Sequence, residues 1–168
     1  VGAIDGADSS ITRNVTNLLL RKDVTALLNA PATYEICFDN ALKLDRVQPV
    51  VSSTGFTLKI DGVEDKRTYY MEDDTKGVVY TYYYDNENNK VIGNKLFGTV
   101  DYETGEIKLG YIKGQDITVV TTVIPNGIIR IKVVPRDNDI IAKNSVFMDF
   151  DVDNSDIEAI VDTKISGS

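Results

Sequence analysis

Apolar and polar residues alternate at every second position through most of this chain from Thr33 onward, and that period predicts strands. The clearest stretch is residues 96–109, LFGTVDYETGEIKL. Thr99, Asp101 and Glu103 alternate there with Gly98, Val100 and Tyr102; Thr104-Gly105 breaks the run, and Ile107 and Leu109 resume it. The expectation is a β-hairpin whose turn needs Gly105 at positive φ, with Glu103 and Glu106 flanking it in water. The same alternation predicts strands over residues 34–39, with Tyr34, Ile36 and Phe38 opposite Glu35, Cys37 and Asp39, and over 57–60, closed by an Asp61-Gly62 turn. Residues 44–51 read as extended, and Pro49 suits them to an edge rather than to the middle of a sheet.

Residues 68–71 and 78–84 form the next expected pair, joined by an acidic connection that ends at Gly77. In VVYTYYY, Val78, Tyr80, Tyr82 and Tyr84 share one face, and Val79, Thr81 and Tyr83 share the other. Two readings stay open: a strand between packed layers with hydroxyls at the rim, or an aromatic strip for a sugar or a protein partner. A short strand follows at 90–92. Residues 117–124 and 128–134 are expected as two strands joined through Pro125-Asn126-Gly127, the second with Ile129, Ile131 and Val133 inward. A strand at 146–152, with Val146, Met148, Phe150 and Val152 inward, precedes a last one at 156–165. With roughly eleven to thirteen strands and at most one or two short helices, the fold class is mainly β, antiparallel sheets in sandwich-like layers.

Residues 1–32 have a different texture. Ile11, Val15, Leu18, Leu19, Leu27 and Leu28 fit a helical stripe behind a serine cap, yet ITRNVT at 11–16 is rich in β-branched residues and reads equally as strand. Ala30-Pro31-Ala32 punctuates the chain, so the expected division is 1–32 as a connecting segment or the end of a preceding region, and 33–168 as a β-rich domain.

Composition narrows the function. The 168 residues carry a net charge of −8 at pH 7, a field that repels phosphate backbones and anionic membranes and argues against a nucleic-acid partner. No apolar run approaches the roughly 20 residues of a membrane-spanning helix, and the start at Val1, without a leader, reads as a piece of a longer protein. The single cysteine, Cys37, allows no internal disulfide and reads as a small hydrophobe on a strand face. With no histidine, the commonest general base and metal ligand is missing.

Carboxylates are the remaining chemistry. Asp101 with Glu103, or Asp149 with Asp151, would lie about 7 Å apart on one strand face, within the span of an inverting glycosidase, but alternation in an acidic β protein produces such pairs routinely. The run from Asp149 to Asp156 lacks the glycine and glutamate that a calcium-binding EF-hand loop needs at its sixth and twelfth positions, and the loop at Asp85, Glu87 and Asn89 fails similarly. No phosphate-cradling or nucleophile-elbow motif occurs. The expectation is no catalytic residue, no metal and no cofactor.

Asp5-Gly6, SITRNVT at 10–16, Arg21-Lys22, LLNAPATY at 27–34, GTVDYETGEI at 98–107 and VPRDNDIIAKN at 134–144 together resemble, in that order, the C-terminal part of baseplate wedge subunits of T-even-like contractile-tailed phages, and so the baseplate J-like family. The resemblance implies a structural component of the virion, assembled in the host cytoplasm, whose copies contact one another and other baseplate wedge proteins while the ring forms and rearranges. It also implies that residues 11–20 are strand, and it brings no catalytic residues. From the residues themselves, Val47 and Val51 on the expected edge and the Tyr80, Tyr82 and Tyr84 face are candidate contacts. The competing classes are a carbohydrate-binding or adhesin module using the tyrosines, and a glycosidase using Asp101 and Glu103.

Overall fold

The computed structural model describes residues 17–110, 117–141 and 146–150. Twelve strands and no helix form among them: β1 (Leu18–Thr25), β2 (Tyr34–Cys37), β3 (Val51–Ser53), β4 (Phe56–Ile60), β5 (Val63–Asp73), β6 (Val78–Tyr84), β7 (Lys90–Ile92), β8 (Gly98–Asp101), β9 (Glu106–Leu109), β10 (Ile117–Thr122), β11 (Ile128–Val133) and β12 (Phe147–Phe150). All strand pairs are antiparallel, in the order β12-β1-β11-β3-β5-β6-β8-β9-β2, with β7 alongside β6. The mainly β expectation holds. The eleven-residue β5 serves two layers: Val63–Tyr69 pairs with β4, whose other edge carries β10, and Tyr70–Asp73 pairs with β6.

The sheet curls until β2, at one end of the order, comes beside β1, next to the other end. The Lys22 amine donates to the Cys37 carbonyl and the Leu27 amide to the Tyr34 hydroxyl at 2.7 Å, so side chains bridge β1 and β2 where no ladder forms. Below this seam Leu42 N donates to Tyr102 O, Lys43 N to Val134 O and Arg136 N to Ala41 O, tying the segment after β2 to both flanking walls. The curl encloses one core, which includes Leu20 of β1, Ile36 of β2, Met71 of β5, Val79 of β6, Ile107 of β9 and Ile131 of β11. Each such side chain withdrawn from water contributes about 1.5–3 kcal/mol.

Where alternation meets turn chemistry, expectation and structure agree. The 98–109 hairpin forms with Gly105 at φ 71°, β6 occupies residues 78–84, and Asp61 and Gly62 take φ 49° and 81° to join β4 to β5. On β11, Ile129, Ile131 and Val133 are buried.

Other expectations need correction. Residues 44–50 form no strand. Val51 opens β3, which is flanked by β11 and β5, so no edge lies there. The two strands expected either side of Pro125-Asn126-Gly127 form as β10 and β11, and they join different ladders, β10 pairing with β4 and β11 with β1 and β3. Leu18–Thr25, expected in a segment apart from the β-rich domain, pairs with β11 and β12 inside its sheet. Met148 of β12, expected inward, is 62% exposed; Val152 and the strand at 156–165 lie outside the described residues. Cys37 is exposed rather than packed, because the face it shares with Glu35 is the solvent face.

Candidate functional site

The two faces of the β5–β6 pair hold six of the nine tyrosines. Strand pairing brings Tyr70 opposite Tyr82 and Glu72 opposite Tyr80 on the outer face, and Tyr84 follows Tyr82 along β6. Tyr82 stacks on Tyr70 at 5.6 Å and meets Tyr84 edge-on at 5.7 Å; the Lys90 ammonium lies 4.1 Å from the Tyr82 ring centre and ion-pairs with Glu72. These neighbours leave Tyr82 8% exposed, while Tyr84 is 49% exposed. The tyrosine face is therefore mostly closed on itself, and burial pushes the Tyr82 hydroxyl well above the ordinary tyrosine range. Of the other contact residues expected, Val47 is 85% exposed and Val51 is 2% exposed, so Val51 belongs to the core.

On the opposite face, a recess of about 360 Å³ lies among Arg67 and Tyr69 of β5, Tyr83 of β6, Ile60 of β4, Ile92 of β7 and Lys95. Period-two spacing sets Asp65, Arg67 and Tyr69 side by side along β5. Asp65 takes a bidentate contact from the Arg67 guanidinium and a 2.7 Å hydrogen bond from the Tyr69 hydroxyl. The guanidinium lies 4.1 Å from the Tyr83 ring centre. Its hydrogen bonds hold the Asp65 carboxyl well below the usual carboxylate range, and burial with the Asp65 contact raises Tyr69 to about 12. At neutral pH the group is a fixed carboxylate, guanidinium and phenol, with no proton poised to move.

Lys95 sits on a strap that follows β6. Thr81 N donates to Asn94 O at 2.9 Å, Gly93 N to Thr81 O at 2.8 Å and Asn94 N to the buried Thr81 Oγ1 at 2.9 Å. Gly93 is required here, since a Cβ would come within 2.6 Å of the Tyr69 ring.

The carboxylates singled out in the sequence have structural partners. Asp101 accepts amide hydrogens from Glu103 and Thr104 inside the turn, while Glu103 has left the strand and reaches Arg136 at 2.9 Å, so the two do not share a strand face. Asp85 caps its own loop through Glu87 N and Asn89 N, and Asp149 lies between Arg21 and Lys132, 3.4 Å from each. Asp151 lies outside the described residues. A grouping the sequence did not reveal is Glu35, Cys37 and Glu106, whose ligand atoms fall within 4.8 Å of one another on an outer face, with Lys108 2.7 Å from Glu106. No protein-family model matches this chain, and neither does any curated protein or solved structure.

Proposed function

We propose that this chain is a structural module that works by association with other chains, without turnover, and that its place is in a phage tail baseplate wedge, where copies of it and other wedge proteins meet. The observation that carries the association is β12. Among the described residues it ends the sheet and has β1 as its one strand partner, and it presents Phe147 and Met148 at 49% and 62% exposure. A strand edge with apolar side chains beside it is the geometry by which sheets add strands from another chain. The use of carboxylates in turns and ion pairs supports a role without acid–base chemistry, and the baseplate assignment draws on the resemblance described above.

Sedimentation velocity across a hundredfold concentration range tests the self-association. The expected result is a mass that rises with concentration and a Met148→Lys variant that stays monomeric, since a lysine on an edge opposes strand addition. A wild-type monomer at every concentration would remove self-association from the proposal.

A further inference from the structure

We infer that the recess between β5 and the 93–95 strap binds a small saccharide unit carrying one carboxylate, a uronic-acid type of ligand. This inference does not depend on the assembly role, and the residues that test it lie far along the sheet order from β12.

Four observations converge on the recess. Its volume, about 360 Å³, lies at the small end of the range of small-molecule sites and suits one or two sugar rings. Lys95 is exposed, lines the recess and has no ion-pair partner among the described residues, which makes it a cation available to a ligand. Arg67 is held in place by Asp65 through Nε and Nη2 and by stacking on Tyr83, which leaves Nη1 without a hydrogen-bond partner among the described residues. A guanidinium oriented in this way presents a donor at little further entropic cost. Ile60 and Ile92 add apolar surface for the C–H face of a sugar ring, and the Tyr83 hydroxyl, also without a partner there, adds a donor and acceptor for ring hydroxyls.

Charge sets the ligand class. Among the described residues, the charged side chains that line the recess are Arg67 and Lys95, and Asp65 just outside it pairs with Arg67, a local excess of one positive charge on a molecule whose net charge is −8. One ligand carboxylate is balanced locally, whereas a polyanion would be repelled by the rest of the molecule. A bare anion would leave the apolar walls and the Tyr83 hydroxyl unused.

The test is a ¹H–¹⁵N NMR titration of the chain with methyl glucuronoside, with methyl glucoside, which differs only at the carboxylate, and with acetate and inorganic phosphate as anions without a ring. Methyl glucuronoside is expected to give saturable shifts at the Thr81, Gly93 and Lys95 amides, with affinity at least tenfold above the glucoside and either simple anion. Lys95→Ala is expected to weaken the glucuronoside at least fivefold while leaving the remaining spectrum in place, since Lys95 has no ion pair to lose among the described residues. Absence of saturable shifts, equal affinity for the glucoside, competition by acetate or phosphate at the glucuronoside's own concentration, or an unaffected Lys95→Ala variant would each overturn the inference. A sedimentation profile unchanged by Lys95→Ala keeps this result separate from that of the assembly proposal.

Discussion

One buried carboxylate ties three parts of the described chain together: Asp73, the last residue of β5. It is 1% exposed and accepts from Val50 N at 2.7 Å, Val51 N at 2.8 Å, Thr75 N at 3.1 Å and the Tyr102 hydroxyl at 2.8 Å. It therefore satisfies the start of β3, the β5–β6 turn and the β8–β9 turn at once. A buried donor without its acceptor costs about 1–3 kcal/mol. Asp73→Ala orphans several, and a loss of about 3 kcal/mol or more is expected in the urea midpoint. Asp73→Asn keeps one oxygen but turns an amide donor toward other donors, for a loss of about 2 kcal/mol. Tyr102→Phe removes one donor and leaves the carboxylate's other bonds intact, for about 1 kcal/mol. The order of the three variants is the prediction, and a Tyr102→Phe variant as unstable as Asp73→Ala would contradict it.

At the scale of elements, two turn glycines with similar backbone angles sit in opposite surroundings. Gly105 has φ 71°, and a Cβ there would come within 2.2 Å of Asn40 O; Gly62 has φ 81°, with nothing within 4 Å. Left-handed backbone costs a non-glycine residue about 1–2 kcal/mol in either place. Gly62→Ala is expected to lose about 1 kcal/mol, and Gly105→Ala about 3 kcal/mol or more, because a backbone carbonyl must also move. Thermal unfolding of both variants checks this, and equal losses would mean the segment after β2 yields easily. Turns of this kind were legible beforehand because their chemistry is local: Asp61-Gly62 and Thr104-Gly105 sit between alternating runs. Strand pairing was not legible. Nothing in Pro125-Asn126-Gly127 says that β10 continues to β4, because that choice depends on which layer has room for Ile117 and Val119. Val51 was misplaced for a similar reason, since Pro49 two residues earlier suggested an edge and β3 starts only after it. The recess was partly written in the spacing of Asp65, Arg67 and Tyr69, but Lys95 reaches it through the Thr81 bonds, which no sequence period encodes.

For the whole molecule, the shifted ionisations of carboxylates and tyrosines set the two ends of its pH range. Asp65 is depressed by the Arg67 contact, and Asp45, Asp85 and Asp101 by amides of their own turns, from an ordinary value of 3.8. Groups depressed in the folded state stabilise it fully above the unfolded value, and that contribution falls as the unfolded chain takes up protons first. Stability should therefore hold from neutrality to about pH 5 and decline below it. Asp65→Asn should flatten that decline. At the alkaline end the sign reverses. Tyr69, Tyr80, Tyr82 and Tyr102 are all raised above 10.0 by burial, Tyr69 to about 12, so the unfolded chain loses its protons first and stability falls as pH passes from 10 toward 12. Each pKa unit is about 1.4 kcal/mol, so Tyr69 alone accounts for roughly 3 kcal/mol of this decline. Absorbance at 295 nm separates these groups from the rest of the nine tyrosines. The four raised tyrosines should ionise in a step that coincides with loss of the strand circular-dichroism signal. A single smooth titration of all nine, complete before any unfolding, would mean that the β5–β6 aromatic layers are open to water, and both the closed outer face and the fixed Asp65–Arg67–Tyr69 group would then have to be abandoned.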